Sequence, residues 1–148
     1  RIGVRDKFSG TCQLFATESI QIGERCTLNY PSAIVLDRTL QEKEEAIILG
    51  KGSYLCGPLI GLDNAKQSVV TISEEAIVEG QVYTNTRFQH KGTVHGSVYC
   101  QRFWLETNSA TYENHLLNAR IDISQRSSYY AGPALFANDN GREVLKWL

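Results

Sequence analysis

The chain is predicted to be all-β, a single-stranded parallel β-helix in which short strands wind about one axis and each turn rests on the last. Two observations carry that expectation. Val78-Glu79-Gly80-Gln81-Val82-Tyr83 returns sixteen residues later as Val94-His95-Gly96-Ser97-Val98-Tyr99, both reading V-x-G-x-V-Y. A pattern that recurs at a fixed interval marks stacked turns. Ile22, Leu28 and Ile34 fall six apart, the step of short flat strands separated by turns.

The elements follow in order. Gln13 to Thr17 reads as a first strand. Ile20-Gln21-Ile22 alternates, Gly23-Glu24 turns, and Cys26-Thr27-Leu28 alternates again. Leu40 to Ala46 has the strongest helix propensity of the chain, so a short helix near 40–47, or an excursion from the coil, is expected there. Ile47 to Leu49 reads as a buried strand. Gly50, Gly52, Gly57 and Gly61 punctuate two more, Tyr54-Leu55-Cys56 and Leu59 to Leu62. Val69 to Ile72 is a strand and Ser73 to Ala76 a polar turn. The two hexamers lie in strands Ile77 to Thr84 and Thr93 to Cys100. Between them comes a short extended piece, Phe88 to His90, and after them Phe103-Trp104-Leu105. Arg87-Phe88 and Arg102-Phe103 stand fifteen apart, so the repeat slips by one residue.

Alternation sends Val78, Val82, Val94 and Val98 inward, with Glu79, Gln81, His95 and Ser97 on the opposite parity. Gly80 and Gly96 share the valines' parity and are expected where a corner or close approach leaves no room for a side chain. Tyr83 and Tyr99 then stack. After Glu106 the rhythm fades: Thr111 to Leu117 reads as a turn with a short helix, and Ile121 to Ile123 as one more strand. The organisation expected is one domain over 1–148, with a coil over about 12–123 and an irregular C-terminal cap over about 124–148 that covers the last edge strands.

The bulk numbers narrow the function. A chain of 148 residues builds one domain with a real core. At 42% hydrophobic and 21% charged it folds rather than staying disordered. A net charge of −1 with mixed signs builds no basic face for nucleic acid. No apolar run approaches the ~20 residues of a membrane span, and no cleavable signal is visible. The chain begins at Arg1 and contains no methionine, so a native N-terminal segment (a leader, anchor or further domain) is expected to precede it. Cys12, Cys26, Cys56 and Cys100 form no C-x-x-C, which argues against a zinc knuckle or a thioredoxin-type motif. Three disulfide pairings stay open, beside the plainer reading of small buried side chains.

No catalytic, cofactor-binding or metal-binding residue is predicted. His90 and His95 flank one turn, where a metal pair or general base is conceivable, but both read as ordinary surface polar residues; His115 is the third histidine. No P-loop, G-x-G-x-x-G or G-x-S-x-G is present. Glu44/Glu45 and Glu74/Glu75 are solvated pairs without the apolar setting of an acid catalyst, and Asp122, Asp139 and Asn140 make no calcium loop. Tyr83, Phe88, Tyr99, Phe103 and Trp104 form either a carbohydrate-stacking face or ordinary rung packing.

Residues 69–105, through Ile72-Ser73-Glu74-Glu75-Ala76-Ile77-Val78-Glu79-Gly80-Gln81-Val82 and the second V-x-G-x-V, resemble the bactofilins, a polymer-forming β-helical cytoskeletal family. The resemblance implies a right-handed coil, end-to-end assembly without nucleotide, and no cofactor. It implies a non-enzymatic structural or assembly protein of the cell envelope or cytoskeleton that works with protein partners or its own copies. Two alternatives stand beside it. One is an adhesin or carbohydrate-binding module that binds glycan through Tyr and Trp faces. The other is a left-handed hexapeptide-repeat acyltransferase, suggested by Ile22-Gly23-Glu24-Arg25-Cys26-Thr27 with a histidine as base.

Overall fold

The computed structural model describes residues 1–38, 45–107, 109–128 and 130–132. Its strands are β1 (Ile2–Val4), β2 (Ser9–Gly10), β3 (Gln13–Ala16), β4 (Ile20–Ile22), β5 (Thr27–Leu28), β6 (Ala33–Arg38), β7 (Glu45–Leu49), β8 (Tyr54–Cys56), β9 (Leu59–Asp63), β10 (Val69–Ile72), β11 (Ile77–His90), β12 (Thr93–Glu106), β13 (Thr111–Glu113) and β14 (Arg120–Ile121). All pair in parallel except β12 with β13. The fold is a parallel β-helix, as the sequence predicts.

The ladders make three faces. Face A stacks β1, β4, β7, β10, the end of β11 and the end of β12. Face B stacks β2, β5, β8, the starts of β11 and β12, and β14. Face C stacks β3, β6, β9 and the middles of β11 and β12. Strands of two to five residues are too short to persist alone. Each is held by the backbone ladder to the turns on either side, and by one or two side chains sent into a shared interior.

That interior is built of columns. Ile2, Ile20, Ile47, Val70, Phe88 and Phe103 are successive partners on face A. Leu28, Leu55, Val78 and Val94 are successive partners on face B. Leu14, Ile34, Leu59, Val82 and Val98 follow one another on face C. The central members of every column are fully buried. The six-residue step of Ile22, Leu28 and Ile34 therefore marks one core residue from each face within one turn. The tandem hexamers lie side by side in register, Val78 to Tyr83 against Val94 to Tyr99. The one-residue slip appears as a register shift after Thr84, before Arg87 pairs with Arg102.

The turn from face A to face B is the same in four successive rungs. Core residues there are always six apart: Val4 and Gly10, Ile22 and Leu28, Leu49 and Leu55, Ile72 and Val78. Each turn carries one residue at positive φ: Lys7 (61°), Arg25 (53°), Gly52 (64°) and Glu75 (59°). Its amide donates to the next rung, as Lys7 to the Glu24 carbonyl (2.8 Å), Arg25 to Lys51 (2.9 Å) and Gly52 to Glu74 (3.1 Å). Three of these four sites hold a charged side chain, although left-handed backbone costs about 1 kcal/mol without glycine. The repeated ladder bond holds Lys7 and Arg25 there. Beneath the turn sit small buried residues, Cys26, Ser53 and Ala76; the Ser53 hydroxyl accepts from the Cys26 amide at 2.9 Å and donates to the Gly23 carbonyl at 2.8 Å.

The corner between faces B and C holds a glycine ladder, Gly57 in the break between β8 and β9 and Gly80 and Gly96 within the continuous strands β11 and β12. A Cβ on Gly96 would fall within the van der Waals radius of the Gly80 carbonyl oxygen, and one on Gly57 would strike the Ser32 carbonyl. This is the close approach predicted for Gly80 and Gly96.

Several expectations are corrected. The helix near 40–47 fails over 45–47, which belong to β7; Ala46 and Ile47 are buried and Ile47 pairs with Ile20 and Val70. Lateral pairing and a buried column position override helix propensity here. Residues 39–44 lie outside the described residues. The ladder starts at Ile2, earlier than the expected coil boundary near residue 12, because β1 and β2 are too short to show a period. Thr111 to Leu117 forms β13 and bends rather than a helix. Of the expected 124–148 cap, residues 133–148 lie outside the described residues. The four cysteines are free thiols. Among the described residues no helix is long and apolar enough to cross a membrane.

Candidate functional site

The turn from face C to face A is different in every rung, and it builds the groove. Asp63 ends β9 with its side chain buried, and its carboxylate accepts from the amides of Ala65 (2.9 Å), Gln67 (3.2 Å) and Ser68 (2.9 Å). Burial pushes this carboxyl upward, but the hydrogen bonds from Ser68, Ala65 and Gln67 outweigh it and hold it below the usual range. The loop 64–68 is thereby fixed, with Lys66 at φ 54° on its tip. On the next rung Asn85 accepts from the Asp63 amide at 2.8 Å. The buried Thr86 hydroxyl donates to the Ser68 carbonyl.

Beside this loop Arg87 and Arg102 are direct register partners on adjacent strands. Arg87 donates through Nη2 to the Gln67 carbonyl, and its guanidinium lies 4.8 Å from the Trp104 ring centroid. Arg102 Nη1 meets Glu113 Oε1 at 2.8 Å, Glu113 being set there by the antiparallel pairing of β13 with β12. These residues, with Lys66 and Gln101, line a groove of about 520 Å³. Three cations face one carboxylate across an indole. That set can bind an anion and stack against an apolar ring face.

The histidines part company. His90 and His95 do flank one turn, but His90 points inward and is 2% exposed. It ends the column Val4, Ile22, Leu49, Ile72, so the surface reading of His90 is wrong. Its ring stacks on Phe88 at 5.3 Å, and Nε2 lies 3.1 Å from the Arg120 carbonyl. Burial lowers its pKa, and the Arg120 contact only partly opposes this. The neutral ring donating through Nε2 fits that setting. His95 faces outward as the neighbour of Glu79, and His115 is exposed, with Nδ1 2.7 Å from the Glu113 carbonyl. Glu74 and Glu75 are exposed and meet Lys51 at 3.8 and 3.3 Å. Glu44 and Asp139 with Asn140 lie outside the described residues. Among the described residues no group of three or more His, Cys, Asp or Glu is arranged to hold a metal ion.

Of the five aromatic residues singled out, Phe88 is buried and Phe103 packs against it with tilted rings 5.9 Å apart, while Trp104 is in the groove. Tyr83 and Tyr99 pair on the outside of face C, continuing an outer column of Phe15, Val35 and Ile60. Phe15 is 63% and Tyr99 43% exposed.

A second feature was invisible in the sequence. After β14 and a single 3₁₀ turn at Ile123–Gln125, the chain runs back along the B–C corner. The Ser127 amide donates to Glu79 Oε1 at 3.0 Å, and the Tyr54 hydroxyl donates to Glu79 Oε2 at 2.6 Å. Tyr130 lies against Gly80, edge-on to Tyr30 at 6.4 Å and under Arg126 at 5.4 Å. Burial first, then the bond to Glu79, raises the Tyr54 pKa, so it stays a donor. No protein-family model matches this chain, and no curated protein or solved structure matches it significantly.

Proposed function

We propose that the chain is a non-enzymatic scaffold, bactofilin-like in kind, whose rigid coil associates with other copies of itself. The observation that carries this reading is the outer side of face C. Phe15, Val35 and Ile60 are successive outward register partners on its first three strands, and among the described residues the one charged side chain facing outward within the face-C stretches is Asp37. A nearly uncharged face meets its own copy without like-charge repulsion. Strands of about five residues spaced about 4.8 Å apart give a flat projection of a few hundred Å² per copy, the scale of a weak, transient contact rather than a stable interface.

Side-by-side assembly suits this coil better than end-to-end growth. β13 runs antiparallel across the last strand of face A, and an antiparallel edge does not template another parallel turn there. Sedimentation velocity of the full chain over a concentration series tests the reading. Dimers or larger species are expected, and Ile60→Lys, which alters only an outward position, is expected to return them to monomers with an unchanged melting temperature. A chain that stays monomeric at every concentration overturns it.

A second reading, a glycan-binding module, is favoured by one specific observation: the groove in which Trp104 and two side-chain amides, Gln67 and Gln101, stand beside three cations. Indole faces stack on the C–H faces of sugar rings, and amides suit hydroxyl groups. Binding of the full chain to immobilised glycans, followed by the Trp104 fluorescence signal, tests it.

A further inference from the structure

We infer that the groove at the C-to-A corner binds an acidic oligosaccharide, with the sugar carboxylates held by Lys66 and Arg102 and a sugar ring resting at Trp104. The inference rests on the glycan-binding reading and specifies its ligand.

The argument starts from an electrostatic cost. Arg87 and Arg102 are register partners, so two guanidinium groups leave adjacent strands on the same side of the sheet. Like charges placed directly opposite one another destabilise a sheet. Lys66 joins them at the same groove. Only Arg102 is offset by a carboxylate, Glu113 at 2.8 Å. Arg87 is engaged by a neutral carbonyl and by the Trp104 ring. Along the groove lining three positive groups stand against one carboxylate; the buried Asp63 carboxylate beneath loop 64–68 balances part of that excess, and a positive surplus is left for a ligand to meet. An anionic ligand relieves that repulsion.

The groove is shaped by more than charge. The four amides and the Thr86 hydroxyl that fix loop 64–68 hold Lys66 and Gln67 at one wall, and the β12–β13 pairing holds Trp104 and Glu113 at the other. The site is therefore largely preformed, which limits the ordering cost of binding. Its volume of about 520 Å³ lies within the usual range for small-ligand sites. Glu113 engages Arg102 through Nη1, so the rest of its planar fork is what meets a sugar carboxylate, and Lys66 offers a mobile point charge. Carboxylate recognition beside an indole and two amides describes a uronic-acid type of sugar better than a bare anion.

Isothermal titration with the full chain, using a hexamer of galacturonic acid, a neutral glucan hexamer and inorganic polyphosphate as probes, tests this. Saturable binding of the uronate hexamer is expected, weakened several-fold between 50 and about 300 mM salt, with little binding of the neutral hexamer. Lys66→Asn keeps a residue that tolerates positive φ and is expected to lower affinity about tenfold. Trp104→Ala is expected to abolish uronate binding, and Trp104→Phe to retain part of it. Melting curves identify any variant lost to misfolding, and Lys66→Asn, on an exposed loop tip, serves where Trp104→Ala does not fold. Equal binding of polyphosphate shows that charge alone is read and overturns the sugar assignment. Preferential binding of the neutral hexamer overturns the acidic ligand while leaving the glycan-binding reading standing. No binding of any probe overturns both.

Discussion

The two corners flanking face A teach opposite lessons. The A-to-B turn keeps one length and one positive-φ position through four rungs, and one ladder bond through the first three. The C-to-A turn never repeats: three residues (17–19) join β3 to β4, a longer connection including residues 39–44 joins β6 to β7, loop 64–68 joins β9 to β10, and β11 simply bends through. The first corner supports stacking. The second varies because nothing in the ladder depends on its length, and side chains gathered there are available for recognition.

The contrast can be broken or sharpened in four ways. The largest effect is expected at the repeating part of the coil: Gly96→Ala places a Cβ against the Gly80 backbone and should cost about 4 kcal/mol or more in urea denaturation, or prevent folding. At the irregular corner Asp63→Ala removes the acceptor of three amides but leaves the ladders intact; a loss of about 2 kcal/mol is expected, with loop 64–68 losing hydrogen-exchange protection before the strands do.

The third effect is a slope. His90 titrates at a lowered pH in the folded chain than in the unfolded one, so the unfolded state takes up its proton first. Its contribution is whole above the unfolded value near about 6.5 and is lost as pH falls toward the folded value. The melting temperature should thus drop between pH 7.5 and 5.5, and His90→Leu should flatten that difference. An unchanged difference in the variant would place the titrating group elsewhere. The smallest effect separates the regular turns from one another: Glu75→Gly should stabilise by about 0.5–1 kcal/mol by relieving left-handed backbone, and Gly52→Ala should destabilise by a similar amount.

Legibility followed the same division. The hexamers at 78–83 and 94–99 lie on consecutive rungs with nothing inserted between them, so their register could be read directly, slip included. The six-residue step is also present at Leu49 and Leu55 and at Ile72 and Val78, but connections of different length at the irregular corner throw successive rungs out of phase and hide it. The left-handed positions escaped notice because Lys7, Arg25 and Glu75 stand where glycine would have signalled a turn. His90 looked like surface because its neighbours Gln89 and Lys91 are polar; only the parity it shares with Phe88 marks it as interior. The groove draws on residues 66–67, 87, 101–104 and 113, four stretches that no local pattern joins.

The returning stretch that carries Ser127 and Tyr130 changes how the coil comes apart. A stack of rungs ordinarily frays from its ends, each terminal layer peeling off with little help from those further in. Here the stretch after the last face-B strand is anchored by Glu79 and packs against Tyr30, a turn four strands earlier on that face. Unzipping from that end must first release a tie fastened deep in the stack, so opening there involves several layers at once.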